Sequence, residues 1–175
     1  MVERLVANEK AEGSTPSARS NEVEMIKGIG YLEYCQQRMN EGFPTQGNKD
    51  GTGYEQKGNE RYVLYFARSH IEDFETGQVA RGHMKIGQAK YLSAVMRTRN
   101  QPGNDFRCYA EIVMHNLEQT FEAEALVKRL YNDRRIKLTQ NQQELYDFKD
   151  EELLSLVNNV KKELGFEPKD VIIYV

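Results

Sequence analysis

Apolar residues fall in two rhythms along the chain, and each rhythm predicts its own kind of element. The stretches "RYVLYFA" (61–67), "HMKIG" (83–87) and "FRCYAEIVM" (106–114) are short and rich in β-formers, so they predict strands. In the second, Met84 and Ile86 share one face while His83 and Lys85 share the other. In the first, Leu64 and Phe66 share a face and Tyr65 lies opposite. The intervening "RSHIEDFETGQVARG" is too polar and irregular to predict an element, and it reads as a long connection between two antiparallel strands. The longer rhythm predicts a helix at "KYLSAVMRTR", with Leu92, Val95 and Met96 on its apolar face. A second helix follows at "LEQTFEAEALVKRLYND", where Leu117, Phe121, Ala125 or Leu126, and Leu130 mark the core side. "ELYDF" is a short extended piece. "DEELLSLVNNVKKEL" is an amphipathic helix capped by Asp150 and closed by Gly165, and "DVIIYV" is a β-rich hexamer.

Ahead of this block the pattern is weaker. Residues 1–21 lack periodicity and read as a flexible leader. Residues 22–39 place Met25, Ile29, Leu32 and Met39 near helical spacing, with Asn21 as N-cap, although Gly28 and Gly30 weaken that helix. The Gly-, Asn- and Asp-rich run over 41–60 is a linker. The expected organisation is therefore a leader (1–21), a helical appendage and linker (22–60), a central domain (61–148), and a C-terminal helix and strand packed on it (149–175). The fold class is α+β: a small three-stranded antiparallel sheet flanked by helices.

Composition narrows the function classes. No apolar run approaches the roughly 20 residues that cross a bilayer, and the first residues lack the apolar segment of a secretory signal. Cys35 and Cys108 stand far apart with no paired spacing, as thiols of a reducing compartment do. A cytoplasmic protein is expected, in the host cytoplasm if phage-encoded, with no membrane partner. The net charge is −3, which argues weakly against nucleic acid. Residues 81–137, however, carry eleven basic and six acidic side chains, a local +5 inside acidic flanks that can meet a polyanion.

The strand alternation sets out candidate chemistry. If the apolar faces point inward, Tyr65, His83 and Lys85 gather on the exposed face of one hairpin. Gly87 then lets the chain turn tightly into the next helix. Arg97 and Arg99 end that helix, and Glu124 lies midway along the later one. A phenol, an amine, a guanidinium and a carboxylate form a workable set for phosphodiester hydrolysis. The carboxylate holds a divalent cation, the arginine binds phosphate bidentately, and the phenol or amine orients or deprotonates water. Each residue also has a plain structural reading. Tyr65 suits a strand tyrosine with a wet hydroxyl, and Glu124 suits a helix-surface pair with Lys128 worth a few tenths of a kcal/mol. His70 and His115 belong to no constellation.

The blocks "YVLYFARS", "HMKIGQAK", "VMRTRN", "FRCYAEI", "FEAEALVKRL" and "QELYDF" appear in order over about 61–148. In that order the chain resembles a GIY-YIG endonuclease domain, closest to a phage-rich branch in which Lys-Ile-Gly replaces Tyr-Ile-Gly. The resemblance implies a three-stranded antiparallel sheet flanked by helices and metal-dependent cleavage of DNA. It implies Tyr65 as the first-motif tyrosine, Lys85 in place of the second, Gly87 as the motif glycine, and Arg97 as the arginine of the first helix. Glu124 is implied as the ligand of Mg²⁺ or Mn²⁺. His83, Arg99, Lys90 and Lys128 are further candidates for a catalytic or phosphate contact.

Three positions depart from that pattern. "VLY" stands for Gly-Ile-Tyr, Arg97 lies a residue or two beyond its usual spacing so that Arg99 competes with it, and Lys128 occupies the place of a histidine. "KGIGYLEY" near Lys27 has first-motif letters but no Lys-Ile-Gly at hairpin distance, and reads as helix or loop. The expected function is a divalent-metal-dependent DNA endonuclease, phage- or mobile-element-related. Homo-oligomerisation is left open. The alternative is a non-catalytic DNA-binding or regulatory protein on the same scaffold. A third option is an interaction module that adds "DVIIYV" to a partner's sheet.

Overall fold

The computed structural model describes residues 4–6, 26–41, 45–47, 53–55, 60–137 and 144–175, with the backbone alone at 4–6, 45–47 and 53–55. Its elements in chain order are β1 (Arg4–Val6), α1 (Tyr31–Asn40), β2 (Thr45–Gly47), β3 (Gly53–Glu55), β4 (Val63–Glu72), β5 (Val79–Arg81), β6 (Met84–Ala89), α2 (Leu92–Arg99), β7 (Asn104–Val113), α3 (Leu117–Leu130), β8 (Leu145–Tyr146), α4 (Leu153–Glu163) and β9 (Asp170–Tyr174). The three expected strands form the middle of the sheet, β6–β4–β7, all antiparallel.

The sheet is larger than three strands. Its order is β1-β9-β7-β4-β6-β8, and β5 pairs with the far end of β4, while β2 and β3 form a separate two-stranded ribbon within 41–60. An unpaired strand edge leaves N–H and C=O groups without partners, and here other segments cover both flanks. "DVIIYV" pairs with β7, and Leu145–Tyr146 pair with β6. The polar connection after β4 also forms structure: β4 runs on to Glu72 and returns as β5.

Helices cover both faces, so the sheet has two cores. On one side Leu64, Phe66, Met84, Ile86, Ile112 and Ile173 meet Ala123 and Val127 of α3 and Leu153, Leu156, Val157 and Val160 of α4. On the other, Val63, Tyr65, Ala67, Cys108 and Ile172 meet Tyr34 and Cys35 of α1 and Leu92 and Met96 of α2. The hairpin face expected to be exposed is thus covered. A register shift between Phe66 and Ala67 against β7 inserts Tyr109, which with Ala110 turns to the α3 side.

Three helices differ from expectation. The first helix begins at Tyr31 because Ile29 bridges to Cys108, with N–H···O distances of 2.7 and 2.9 Å, and Gly28 takes a positive φ of 69° on the way. Leu32 and Met39 are exposed on it, and Asn21 and Met25 lie outside the described residues. In α3, capped by Asn116, the buried residues are Thr120, Ala123, Leu126 and Val127. Leu117 and Phe121 are 39% and 51% exposed, because small side chains bring this helix against β6 and turn the large ones out. The last helix starts at Leu153, after a 3₁₀ turn at Asp150–Glu152, and Glu152 caps that turn by accepting the Lys149 N–H at 2.8 Å.

Candidate active site

One cross-strand row organises the α1–α2 face. Gly87 of β6, Tyr65 of β4, Glu111 of β7 and Ile172 of β9 lie opposite one another in register. The Tyr65 ring leans over Gly87, where a Cβ would stand 2.8 Å from its Oη and 3.0 Å from its Cζ. Gly87 is not the expected turn. It lies inside β6 without a positive φ, and its missing side chain makes room for the phenol.

Lys85 shares this face one pleat earlier and is buried. Its Nζ forms an ion pair with the Glu144 carboxylate. Glu144 is fixed by its backbone as well, since its carbonyl accepts the Ile86 N–H at 3.0 Å. Its Oε2 lies 3.3 Å from the same Cβ point above Gly87. Phenol, ammonium and carboxylate therefore share one small space at the β6–β8 margin. Burial first, then the Glu144 charge, pushes the Tyr65 phenol well above its ordinary value, so it is a hydrogen-bond donor near neutral pH.

Two other candidates bear on the same phenol electrostatically. Arg99, at the end of α2, pulls its pKa down, and Glu124 of α3 adds to the upward push. Glu124 is 14% exposed and pairs with Lys128 at 3.4 Å, so both the structural and the functional reading of that glutamate keep their footing. Arg97 is half-buried in the last turn of α2. His83 is exposed just before β6. Lys90, past the strand's other end, pairs with Glu60 at 3.7 Å and lies over the Tyr91 ring. The structure thus brings Tyr65, Lys85 and Gly87 together, sets Arg99 and Glu124 within electrostatic reach, and leaves His83 and Lys90 at the two ends of β6.

Glu144 is the site residue that sequence reasoning missed. It immediately precedes the two-residue strand β8, and only the pairing of that strand with β6 reveals what it faces. Among the described residues no three His, Cys, Asp or Glu side chains cluster to hold a metal ion. A cation on Glu124 would thus rely on phosphate and water oxygens for its remaining ligands, as Mg²⁺ commonly does.

Two further polar clusters flank the row. Glu111, fully buried, receives Arg61 at 2.8 and 3.0 Å, the Tyr34 hydroxyl at 3.3 Å, and the Tyr174 hydroxyl. Burial works against the Arg61 charge, but Glu111 together with the Tyr34 and Tyr174 hydroxyls holds the guanidinium pKa up. On the opposite face His70 meets the Tyr109 hydroxyl, and Arg68 and Arg81 both grip Asp150. Burial, with Arg81 and Arg107 nearby, lowers the His70 pKa. No described helix is long and apolar enough to cross a membrane.

Residues 61–161 match the family model of the T5orf172 domain, a phage-associated domain found in GIY-YIG- and HNH-like nuclease contexts. No curated protein and no solved structure matches the chain.

Proposed function

Because the chain belongs to the T5orf172 domain family, we propose that it is a divalent-metal-dependent endonuclease hydrolysing phosphodiester bonds in DNA, of the GIY-YIG type with Lys-Ile-Gly as its second motif. The observation that carries this reading is the convergence of Tyr65, Lys85 and an acid over Gly87, with Arg99 and Glu124 acting on the same phenol. A surface hairpin has no need to bury a phenol and an ammonium side by side.

In this reading the scissile phosphate lies at the β6–β8 margin. Glu124 would hold Mg²⁺ or Mn²⁺ once Lys128, 35% exposed, swings aside. The bound cation would supply Lewis-acid polarisation of the phosphate. Tyr65 donates a hydrogen bond to a phosphate oxygen or to the attacking water. Lys85 sets a fixed positive charge beside the developing negative charge, where preorganised donors lower the barrier. Arg99 or Arg97 binds a non-bridging oxygen through its planar fork. The basic stretch 81–137 draws the DNA backbone towards this margin.

The test is incubation of the protein with plasmid and linear DNA, with Mg²⁺ or with EDTA. Wild type is expected to nick or cut only with the metal. Glu124→Gln is expected to lose roughly a hundredfold or more in rate while retaining DNA binding measured in EDTA. A Glu124→Gln protein that cuts like wild type refutes the assignment, and binding without any cleavage favours the non-catalytic DNA-binding alternative.

A further inference from the structure

We infer that Glu144 is the proton acceptor of the reaction, the base that takes the proton of the attacking water, held in place by the Lys85 ammonium. The inference rests on the nuclease reading above and adds to it a residue outside the set carried over from the resemblance.

A base must present a lone pair at the site. The Lys85 ammonium has three donors and no acceptor, and a guanidinium at Arg97 or Arg99 has donors alone. Burial and the neighbouring negative charge keep the Tyr65 phenol protonated, so it donates as well. Glu124 pairs with Lys128 and, in the nuclease reading, serves the cation. Glu144 remains. Its carboxylate lies over Gly87 beside the Tyr65 hydroxyl, is ion-paired to Lys85, and is 37% exposed, so water and a DNA strand both reach it.

Charged and polar groups from the neighbouring elements surround this carboxylate. Lys85 faces it from β6, Tyr65 from β4 and Tyr146 from β8. Arg99, Arg135 and Glu124 act on the same phenols from α2, from the bridge beside β8 and from α3. As the water oxygen bonds to phosphorus, its proton passes to a Glu144 oxygen and the P–O3′ bond breaks. The released 3′ oxygen takes a proton from solvent, and Glu144 returns its own to solvent.

The experiment compares wild type, Glu144→Gln, Glu144→Asp and Glu144→Ala on one plasmid with Mg²⁺. DNA binding in EDTA and thermal melting are recorded for each. Glu144→Gln is expected to lose roughly a hundredfold or more in single-turnover rate at unchanged binding. Glu144→Asp, which keeps the carboxylate, is expected to cut at a rate between those of wild type and Glu144→Gln. Formate added to Glu144→Ala is expected to restore cleavage in proportion to its concentration, which a purely structural role would not produce. A Glu144→Gln protein that cuts at the wild-type rate, or faster, overturns this inference while the nuclease reading stands. A wild-type chain that cuts nothing overturns both.

Discussion

A methyl group at Gly87 would stand 2.8 Å from the Tyr65 hydroxyl oxygen, closer than non-bonded atoms come, so Gly87→Ala must push the phenol off its place. Overpacking of this kind costs about 1–3 kcal/mol, and a displaced reacting group costs on the order of a hundredfold in rate. Gly87→Ala is therefore expected to lower both melting temperature and cleavage. Tyr65→Phe removes the nearer clashing atom, so the double variant should recover part of the melting temperature and none of the activity. Calorimetry and a cleavage assay on the two single variants and the double separate these effects. His70 supports a second prediction at this scale. Its folded pKa lies below the ordinary 6.5, so the unfolded chain takes up the proton more readily. Stability is then complete above that value and falls as pH drops through and below it. His70→Gln should flatten the decline in melting temperature between neutral and mildly acid pH.

The contact between α1 and the sheet depends on a charge in the core. Glu111 is fully buried, and Arg61 supplies its counter-charge. Removing one partner of such a pair leaves the other buried and unpaired, at about 3–5 kcal/mol. Arg61→Met is expected to lower the melting temperature by on the order of 10 °C, and Arg61→Met with Glu111→Leu to recover much of that loss. Full recovery is not expected, since the Tyr34 and Tyr174 hydroxyls also lose their acceptor. Element types were legible in the sequence wherever period and composition agreed, as in "RYVLYFA" and "LEQTFEAEALVKRL". Element faces were less so. In α3 the large apolar residues suggested one stripe, whereas the helix packs through Thr120 and Ala123. Small residues carry little weight in a hydrophobic pattern, yet they allow the closest approach to a sheet.

Over the whole chain, what stayed hidden was what lies far apart in sequence. Tyr65 and Lys85 lie on the two paired strands of one hairpin, and alternation placed them on one face. That α1 and α2 would bury that face could not be read from the strands, because a face carrying Tyr, Lys and Gly has the composition of a solvated one. Glu144 stands 59 residues from Lys85, and its place depends on a two-residue strand that propensity does not signal. Gly28 and Ile29 take up the free edge of β7 below β9, an arrangement with no periodic signature.

Strand β4 has neighbours on both edges and helices above and below. In the proposed reaction a nucleic acid strand therefore cannot press down on Tyr65 from over the sheet and must arrive sideways, across the short rim where β8 borders β6.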